Sequence, residues 1–190
     1  VRGLVLSGGA AFFAAGERVF ELAPGSDRPR SVARLSGEVT ALAAGCGLLA
    51  AGTRAGQIAL IKGGREDRGD GGAREEPRTI YAGRGPVLGL AIAGWNGSPR
   101  VLAGDLSPRV AAFDTDGALL ESYPAASPLG LVAAGCRGVW ALSADRRVLQ
   151  TWESPESSPT SWTSGRAISD LAALQGSHLP RQKKSCPAGA

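Results

Sequence analysis

A four-residue pattern that ends in leucine recurs five times along this 190-residue chain, each time at an apolar stretch. The copies are Val1–Leu4, Val39–Leu42, Val87–Leu90, Pro128–Leu131 and Ile168–Leu171. Their leucines lie 38, 48, 41 and 40 residues apart. A period near 40 residues is typical of stacked supersecondary units, because each unit buries its apolar face only against a neighbour. The spacing therefore predicts a repeat architecture.

Glycine-bearing turns divide each repeat into short strands. The first four leucines are followed, three or four residues later, by Gly8, Gly45, Gly94 and Gly135. Second strands are predicted at 11–15, 48–52, 101–104 and 139–143, and fourth strands at 31–35, 79–82, 118–123 and 160–163. Short strands at this spacing, bounded by Gly, Pro, Ser and Asp, predict an all-β fold.

Several segments give the chain a family resemblance. Residues 51–62 resemble the second half of a WD40 repeat, and Trp152-Glu153 and Phe113-Asp114 occupy its Trp-Asp position. Residues 35–42 and 162–166 are similar to the Leu-x-Gly-His entry of the next repeat. The resemblance covers residues 1 to about 176. It implies a β-propeller of four-stranded blades.

The repeats depart from the family pattern at two places. Glu38, Arg84 or Arg166 stands where the family has the His of its Gly-His pair, and Phe20-Glu21 or Ile61-Lys62 replaces Trp-Asp. In the family these residues form a hydrogen-bonded tie within each blade. We therefore expect strand pairing and apolar packing to hold these blades together.

The repeat boundaries predict four blades and the start of a fifth. The blades span approximately 1–36, 37–83, 84–125 and 126–165, and the partial blade spans 166–178. A seven-bladed ring at roughly 40 to 45 residues per blade needs about 300 residues. We therefore expect a partial ring, which a longer polypeptide or another chain completes. A small closed propeller is the alternative, and it requires the fifth strand to pair with the first blade.

Two segments lack the strand pattern. Residues 63–77 mix charge with glycine, and residues 179–190 show no periodicity. Such segments bury little apolar surface, so we expect a flexible charged loop and a flexible tail. Hydrophobic residues make up 43% of the whole chain, which is enough for a buried core.

The chain offers few groups for catalysis or metal binding. Its only histidine is His178, and Cys46, Cys136 and Cys186 have no Cys-x-x-Cys spacing. We therefore predict no catalytic residue, no cofactor and no metal ligand, and hence not an enzyme. A calcium-dependent propeller hydrolase stays open as a lesser alternative. Unpaired cysteines favour an intracellular location, cytoplasmic or nuclear, and no apolar run is long enough for membrane insertion.

Arginine is the most consistent feature of one set of predicted turns. In a WD40-like propeller the turns between second and third strands lie on one face, and connections between blades join them. These segments carry Arg18, Arg54, Arg84, Arg109, Arg146 and Arg147. A basic rim fits an acidic protein segment or an RNA backbone. The alternative is that arginine is simply frequent on the surface of a chain with net charge +4.

Trp95 lies at a hairpin tip on the predicted opposite face. A tryptophan there either packs over its own blade or contacts a partner, and its enrichment at interface hot spots favours contact. Few aromatic residues accompany the arginines, which disfavours the stacking of RNA bases. The sequence therefore predicts a scaffold that binds other protein subunits, with an RNA-associated propeller subunit as the alternative.

Overall fold

The computed structural model describes residues 2–62, 77–81, 85–95, 98–135 and 138–168. In these residues the chain forms sixteen strands and no helix. The first two sheets comprise β1 (Arg2–Ser7), β2 (Ala10–Ala15), β3 (Arg18–Leu22), β4 (Arg30–Arg34), and β5 (Val39–Gly45), β6 (Leu48–Thr53), β7 (Gln57–Lys62), β8 (Arg78–Tyr81). The other two comprise β9 (Gly89–Trp95), β10 (Ser98–Gly104), β11 (Arg109–Phe113), β12 (Leu119–Pro124), and β13 (Leu129–Gly135), β14 (Gly138–Ser143), β15 (Val148–Trp152), β16 (Thr160–Thr163).

Each sheet contains four consecutive strands, paired antiparallel in chain order. The predicted all-β class and the four four-stranded blades are therefore confirmed. The first strands of the sheets, β1, β5, β9 and β13, contact one another in that order. Within the described ranges no strand of the first sheet pairs with a strand of the fourth. The four sheets thus form an open part of a propeller.

The predicted segments without strand pattern fall mainly outside the described residues. This holds for 63–76 of the charged loop and for the whole tail, 179–190. Of the predicted fifth blade, only 166–168 are described. There the backbone N–H of Ile168 donates to the carbonyl oxygen of Arg146 at 2.8 Å. The proposed blade boundaries and the flexibility of both segments stay predictions.

The buried apolar residues of the described ranges form three clusters, one at each junction between successive sheets. We call the side of a sheet that faces the preceding sheet its leading face, and the opposite side its trailing face. The leading face of the second sheet carries Leu42, Ala51 and Ala59 in one cross-strand row. Ala51 and Ala59 are almost fully buried against the first sheet. Small residues at these positions let the sheets approach closely, as the alanine-rich composition predicts.

Glycine is required where two sheets approach most closely. A Cβ atom on Gly52, at the end of β6, would lie 2.5 Å from Cγ1 of Val87. One on Gly89, in β9, would lie 2.8 Å from the backbone nitrogen of Val132. Both separations are shorter than real Cβ contacts, so the junctions on either side of the third sheet depend on the missing side chains.

In the fourth sheet, the residue that corresponds to Leu42 and Leu90 lies one position later than the repeated leucine pattern predicts. Leu42 and Leu90 pair with alanines of the second strand, and in the fourth sheet Val132 takes this position by pairing with Ala141. Leu131 was the predicted equivalent, and this prediction is wrong. Successive residues of a strand point to opposite faces, so the one-residue shift places Leu131 on the trailing face. Because Leu131 and Val132 are adjacent and both apolar, the sequence alone does not show which of them faces the preceding sheet.

Polar contacts also join neighbouring sheets. The hydroxyl of Thr40 in β5 donates to the carbonyl oxygen of Val87 at 2.7 Å, and Ser36 Oγ donates to Gln57 Oε1 at 2.6 Å. The expectation that strand pairing and apolar packing alone hold the blades together is therefore incomplete. Side-chain hydrogen bonds thus add to the apolar packing between neighbouring sheets.

Candidate interaction surface

The turns β2–β3, β6–β7, β10–β11 and β14–β15 lie on one side of the four sheets, together with the connections from each sheet to the next. We call this surface the arginine face. Backbone hydrogen bonds join its turns to its connections. Val39 N donates to Gly16 O at 2.9 Å, Val87 N to Thr53 O at 3.0 Å, and Ser164 N to Arg147 O at 2.8 Å. The face is therefore built on the sheet ends rather than on free loops.

The arginine face contains five of the six predicted arginines. Arg18, Arg54, Arg146 and Arg147 are exposed, Arg109 is half-buried, and Arg84 lies outside the described residues. Arg54 is paired with Glu38, its guanidinium nitrogen 2.8 Å from the carboxylate. In the described part of the chain, no carboxylate lies within ion-pair distance of Arg18, Arg109, Arg146 or Arg147. These four of the predicted arginines give the face its positive charge.

The β14–β15 turn holds Arg146 in an uncommon conformation. Its φ angle is 61°, whereas the matching position in the second sheet is Gly56 with φ 85°. Ser143 Oγ donates to Asp145 Oδ1, and the backbone N–H of Arg147 donates to the same oxygen at 3.1 Å. The hydrogen bond from Ser143, followed by that from Arg147, lowers the pKa of Asp145. The turn thus keeps a carboxylate ionised and projects both arginines into solvent.

The β10–β11 turn adds an apolar residue that the sequence analysis missed. Leu106 is 52% exposed. It is held in place because Asp105, itself nearly buried, accepts a 2.6 Å hydrogen bond from the backbone of Ser107. Arg109 follows three residues later, as the first residue of β11. A leucine next to Asp, Ser and Pro is the signal that could have indicated this exposed position.

A cleft of ≈ 390 Å³ opens between the first and second sheets on the same face. Its polar lining includes Ser36, Thr53, Gln57 and Thr79, and its apolar lining includes Leu35. Gln57 and Ser36 are bonded to each other across it. The cleft gives the arginine face a concave region beside the Arg54–Glu38 ion pair.

Trp95 lies at the far end of the third sheet, away from the arginine turns. Its ring is half-buried, and the guanidinium carbon of Arg100 lies 5.5 Å from the ring centroid. The guanidinium of Arg100 lies 2.5 Å from Oε1 of Glu121. The other carboxylate oxygen of Glu121 accepts a 2.7 Å hydrogen bond from the hydroxyl of Tyr123. One side of the Trp95 indole is therefore covered by Arg100 of the same sheet. A contact of Trp95 with a partner stays a prediction.

The same network changes two pKa values. Burial, then the hydrogen bond to Glu121, raises the pKa of Tyr123. Burial acts to raise the pKa of Glu121 as well, but the hydrogen bonds from Tyr123 and Arg100 together lower it below its ordinary value. Tyr123 is therefore a neutral donor and Glu121 an ionised acceptor at neutral pH.

The described residues contain no group of three or more His, Cys, Asp or Glu side chains placed to hold a metal ion. Cys46 is an exposed free thiol, while Cys136, His178 and Cys186 lie outside the described residues. In the same part of the chain no helix has the length and apolarity needed to cross a membrane. None of these observations shows what the arginine face binds.

Three solved structures show how this arrangement relates to known proteins. U3-55K is 18% identical with a TM-score of 0.72, over 86% of this chain and 52% of its own. The RRP9 WD40 repeats are 17% identical with a TM-score of 0.70, over 86% and 51%. A chain of the mitotic checkpoint complex is 17% identical with a TM-score of 0.63, over 83% and 49%. No protein-family model and no curated protein matches the sequence.

The similarity establishes the fold. Four antiparallel sheets in the arrangement of these structures give the chain the fold of part of a WD40-type β-propeller, as the sequence resemblance implied. The chain spans about half the length of the solved structures that it matches. At these identities the likeness does not extend to activity or partners.

Proposed function

We propose that the chain is a non-catalytic protein-interaction module of a larger intracellular assembly, and that its arginine face binds an acidic protein segment. The single observation that carries this proposal is the β10–β11 turn, where Leu106 is 52% exposed three residues before Arg109. An exposed apolar residue close in sequence to an arginine without an ion-pair partner suits a partner that alternates carboxylates with an apolar anchor.

The structural neighbours support this proposal only by analogy of fold. One neighbour is a chain of a named complex, the mitotic checkpoint complex. WD40-type propellers carry many unrelated functions, so the analogy names neither an activity nor a partner.

RNA is the alternative ligand for the same charges. Arg18, Arg109 and Arg146 are able to neutralise phosphates, and such binding weakens steeply with salt. Leu106 offers nothing to a phosphate backbone, and no aromatic side chain accompanies it on the described turns of the arginine face. The exposed leucine therefore favours protein over RNA.

The test compares Leu106→Ser, Arg109→Glu and Arg28→Glu in the intact protein, purified from its native source with its bound components identified by mass spectrometry. Arg28 is an exposed control in the β3–β4 connection, on the opposite side of the sheets. We expect Leu106→Ser and Arg109→Glu each to lower recovery of the same protein partner by about tenfold, the loss of one hot-spot contact. Arg28→Glu should leave recovery unchanged.

The same variants distinguish RNA binding. A mixed-sequence single-stranded RNA that binds tightly, weakens steeply with salt and ignores Leu106→Ser would contradict the proposal. So would recovery of the protein partner that none of the variants alters.

A further inference from the structure

One residue position differs between the cleft and the equivalent space in the fourth sheet. In the second sheet this position is Ala59, and in the fourth sheet it is Gln150. Each lies opposite an alanine of the second strand in its own sheet. Ala59 lines the cleft between the first and second sheets, whereas Gln150 is almost fully buried where the third and fourth sheets meet. The cleft is thus open at the place that a glutamine side chain fills in the fourth sheet.

The amide group of Gln150 joins the third and fourth sheets. Its Oε1 accepts a 3.3 Å hydrogen bond from the backbone N–H of Ala126, in the connection that leaves the third sheet. Its Nε2 donates to the hydroxyl oxygen of Ser161, also at 3.3 Å. The fourth sheet therefore shows which chemical group fits between an outer strand and the preceding connection. It is a planar amide on a short aliphatic stem.

The connection at the cleft presents the same backbone group. Leu35 and Ala125 each donate a 2.8 Å backbone hydrogen bond to a carbonyl oxygen of the β2–β3 or β10–β11 turn. The residues that follow them, Ser36 and Ala126, therefore correspond to each other. Within the described ranges, the backbone N–H of Ser36 donates to no oxygen atom. The acceptor that Gln150 supplies to Ala126 is therefore missing at Ser36.

The outer strand at the cleft presents a hydroxyl in the same way. Thr79 lies opposite Ala59 as Ser161 lies opposite Gln150. No described group bonds to the hydroxyl of Thr79. The third sheet also has an alanine at this position, Ala111, but the connection that faces it includes residues outside the described ranges. At the cleft, an N–H group and a hydroxyl thus lack the group that joins them in the fourth sheet.

The charge of the lining distinguishes a carboxylate from an amide. Arg34 lines the cleft where the other junction has Pro124, and none of the described lining residues is acidic. Glu17 lies 3.4 Å from Arg34, but both side chains are exposed, and such ion pairs contribute little. Gln57 Oε1 accepts from Ser36 Oγ at 2.6 Å, which leaves the NH₂ group of Gln57 as a further donor. A carboxylate has the shape of the glutamine amide, accepts hydrogen bonds only, and is attracted by the guanidinium.

We propose that the cleft binds the side-chain carboxylate of a glutamate in the acidic segment that contacts the arginine face. The carboxylate accepts from the N–H of Ser36 and the hydroxyl of Thr79, close to Arg34. Its two methylene groups, as many as in Gln150, pack on the buried side chain of Leu35. This inference rests on the proposed function for the source of the carboxylate, and it adds the place where one carboxylate of the segment is bound.

The test uses N-acetyl-glutamate methylamide as the probe and N-acetyl-glutamine methylamide for comparison. The intact protein is labelled with ¹⁵N at serine, and the amide resonance of Ser36 is identified by its absence in Ser36→Ala. We expect the glutamate compound to shift this resonance saturably. It should bind about tenfold more tightly than the glutamine compound, the usual value of making a hydrogen bond charge-assisted.

Two substitutions in the cleft test the assignment. Ala59→Gln introduces the side chain that the fourth sheet already carries, so it should weaken binding of the glutamate compound at least about tenfold while the protein stays folded in urea titrations. Arg34→Gln is milder and should weaken it about two- to fivefold, the value of an exposed ion pair, without affecting the glutamine compound. Arg30→Gln is the matched control. Arg30 lies on the same strand, is paired with Glu21 at 2.5 Å and does not line the cleft, so its substitution should have no effect.

Recovery of the protein partner from the native source connects the cleft to the acidic segment. Ala59→Gln should lower this recovery about tenfold, as expected for Leu106→Ser. The two proposals fail in different ways. If Leu106→Ser and Arg109→Glu leave recovery unchanged, the proposed function is wrong, and the glutamate compound still shows whether the cleft takes a carboxylate.

Four results would overturn the inference itself. They are a Ser36 resonance that does not respond to the glutamate compound, equal binding of the two compounds, binding that Ala59→Gln does not weaken, and partner recovery that Ala59→Gln leaves unchanged. Glutarate supplies the last comparison, because it carries the same carboxylate and stem without a peptide group. Tighter binding of glutarate than of the glutamate compound would assign the cleft to a free small acid instead of a protein side chain.

Discussion

The indole Nε1–H of Trp152 donates a 2.9 Å hydrogen bond to the carbonyl oxygen of Pro124. Trp152 ends the third strand of the fourth sheet, and Pro124 ends the last strand of the third sheet, so this bond links neighbouring sheets. The ring of Trp152 also meets the ring of Tyr123 edge-on, with centroids 6.2 Å apart. The Trp-Asp position of the repeat is thus used here for a contact between blades.

Trp152→Phe should destabilise the chain by about 1 to 2 kcal/mol. The substitution removes one hydrogen bond, worth about 1 kcal/mol, and part of a buried ring. Urea unfolding followed by circular dichroism measures the change. Trp162→Phe is the matched control, since Trp162 is 49% exposed, and it should change stability by less than about 0.5 kcal/mol. Equal effects of the two substitutions would mean that the contact of Trp152 with Pro124 and Tyr123 does not contribute to the free energy of unfolding.

Gly52→Ala should destabilise the chain by about 1 to 3 kcal/mol, the usual range for overpacking a dense interior. The new methyl group would lie 2.5 Å from Val87, so one of the two sheets must shift. Gly165→Ala is the control, because no atom lies within 4 Å of its added Cβ. The pair is compared by thermal unfolding.

A second substitution separates overpacking from a backbone effect. Val87→Ala removes Cγ1, the atom nearest to the added Cβ, and keeps the Val87 Cβ at 2.7 Å. The double variant should therefore be less destabilised than the sum of the single variants, by the part of the overpacking that Cγ1 causes. Strict additivity would show that contact with Cγ1 does not contribute to the effect of Gly52→Ala.

The sequence predicted the strands well because alternating apolar residues and glycine turns act locally. The second and fourth strands lie within three residues of their predicted ends in every described blade. The position of the arginines on one side also followed from strand order alone. The shift at Val132 was missed, since the register of an apolar run with leucine and valine side by side is decided by the sheet that packs on it.

Local sequence patterns did not predict the contacts between sheets. Glu38 was noted as a substitute for the family histidine, but its 2.8 Å ion pair with Arg54 depends on the path of the connection between two sheets. The same holds for Leu106, whose exposure depends on how the β10–β11 turn is held by Asp105. The ion pair and the exposed leucine both involve residues in turns or connections, whose contacts cannot be read from the order of apolar and polar residues.

Arg146→Gly should stabilise the chain by about 0.5 to 1 kcal/mol. Arg146 has a φ angle of 61°, a region that costs a residue with a Cβ atom about 1 to 2 kcal/mol, and glycine recovers this less its own entropy. Arg147→Gly, at the next position of the same turn, removes the same charge and should instead destabilise. Urea denaturation distinguishes them, and a loss of stability in both variants would show that the turn is not strained.

The ion pair of Glu121 with Arg100 should make stability depend on pH in the acid range. The pKa of Glu121 is lowered in the folded chain from its ordinary 4.5, so the unfolded chain binds the proton more readily. The stabilisation is therefore complete above about pH 4.5 and is lost as the pH falls through the lower, folded value. Glu121→Gln should destabilise at pH 7 and have a smaller effect at pH 3.

Urea unfolding of both proteins between pH 3 and pH 7 measures this difference directly. Glu153→Gln is the control, because Glu153 is exposed and takes no part in the network of Arg100, Glu121 and Tyr123. The effect of Glu121→Gln is compared with that of this control at each pH. A difference for Glu121→Gln that does not shrink toward pH 3 would show that the negative charge of the carboxylate does not contribute, since only the ionised form attracts Arg100.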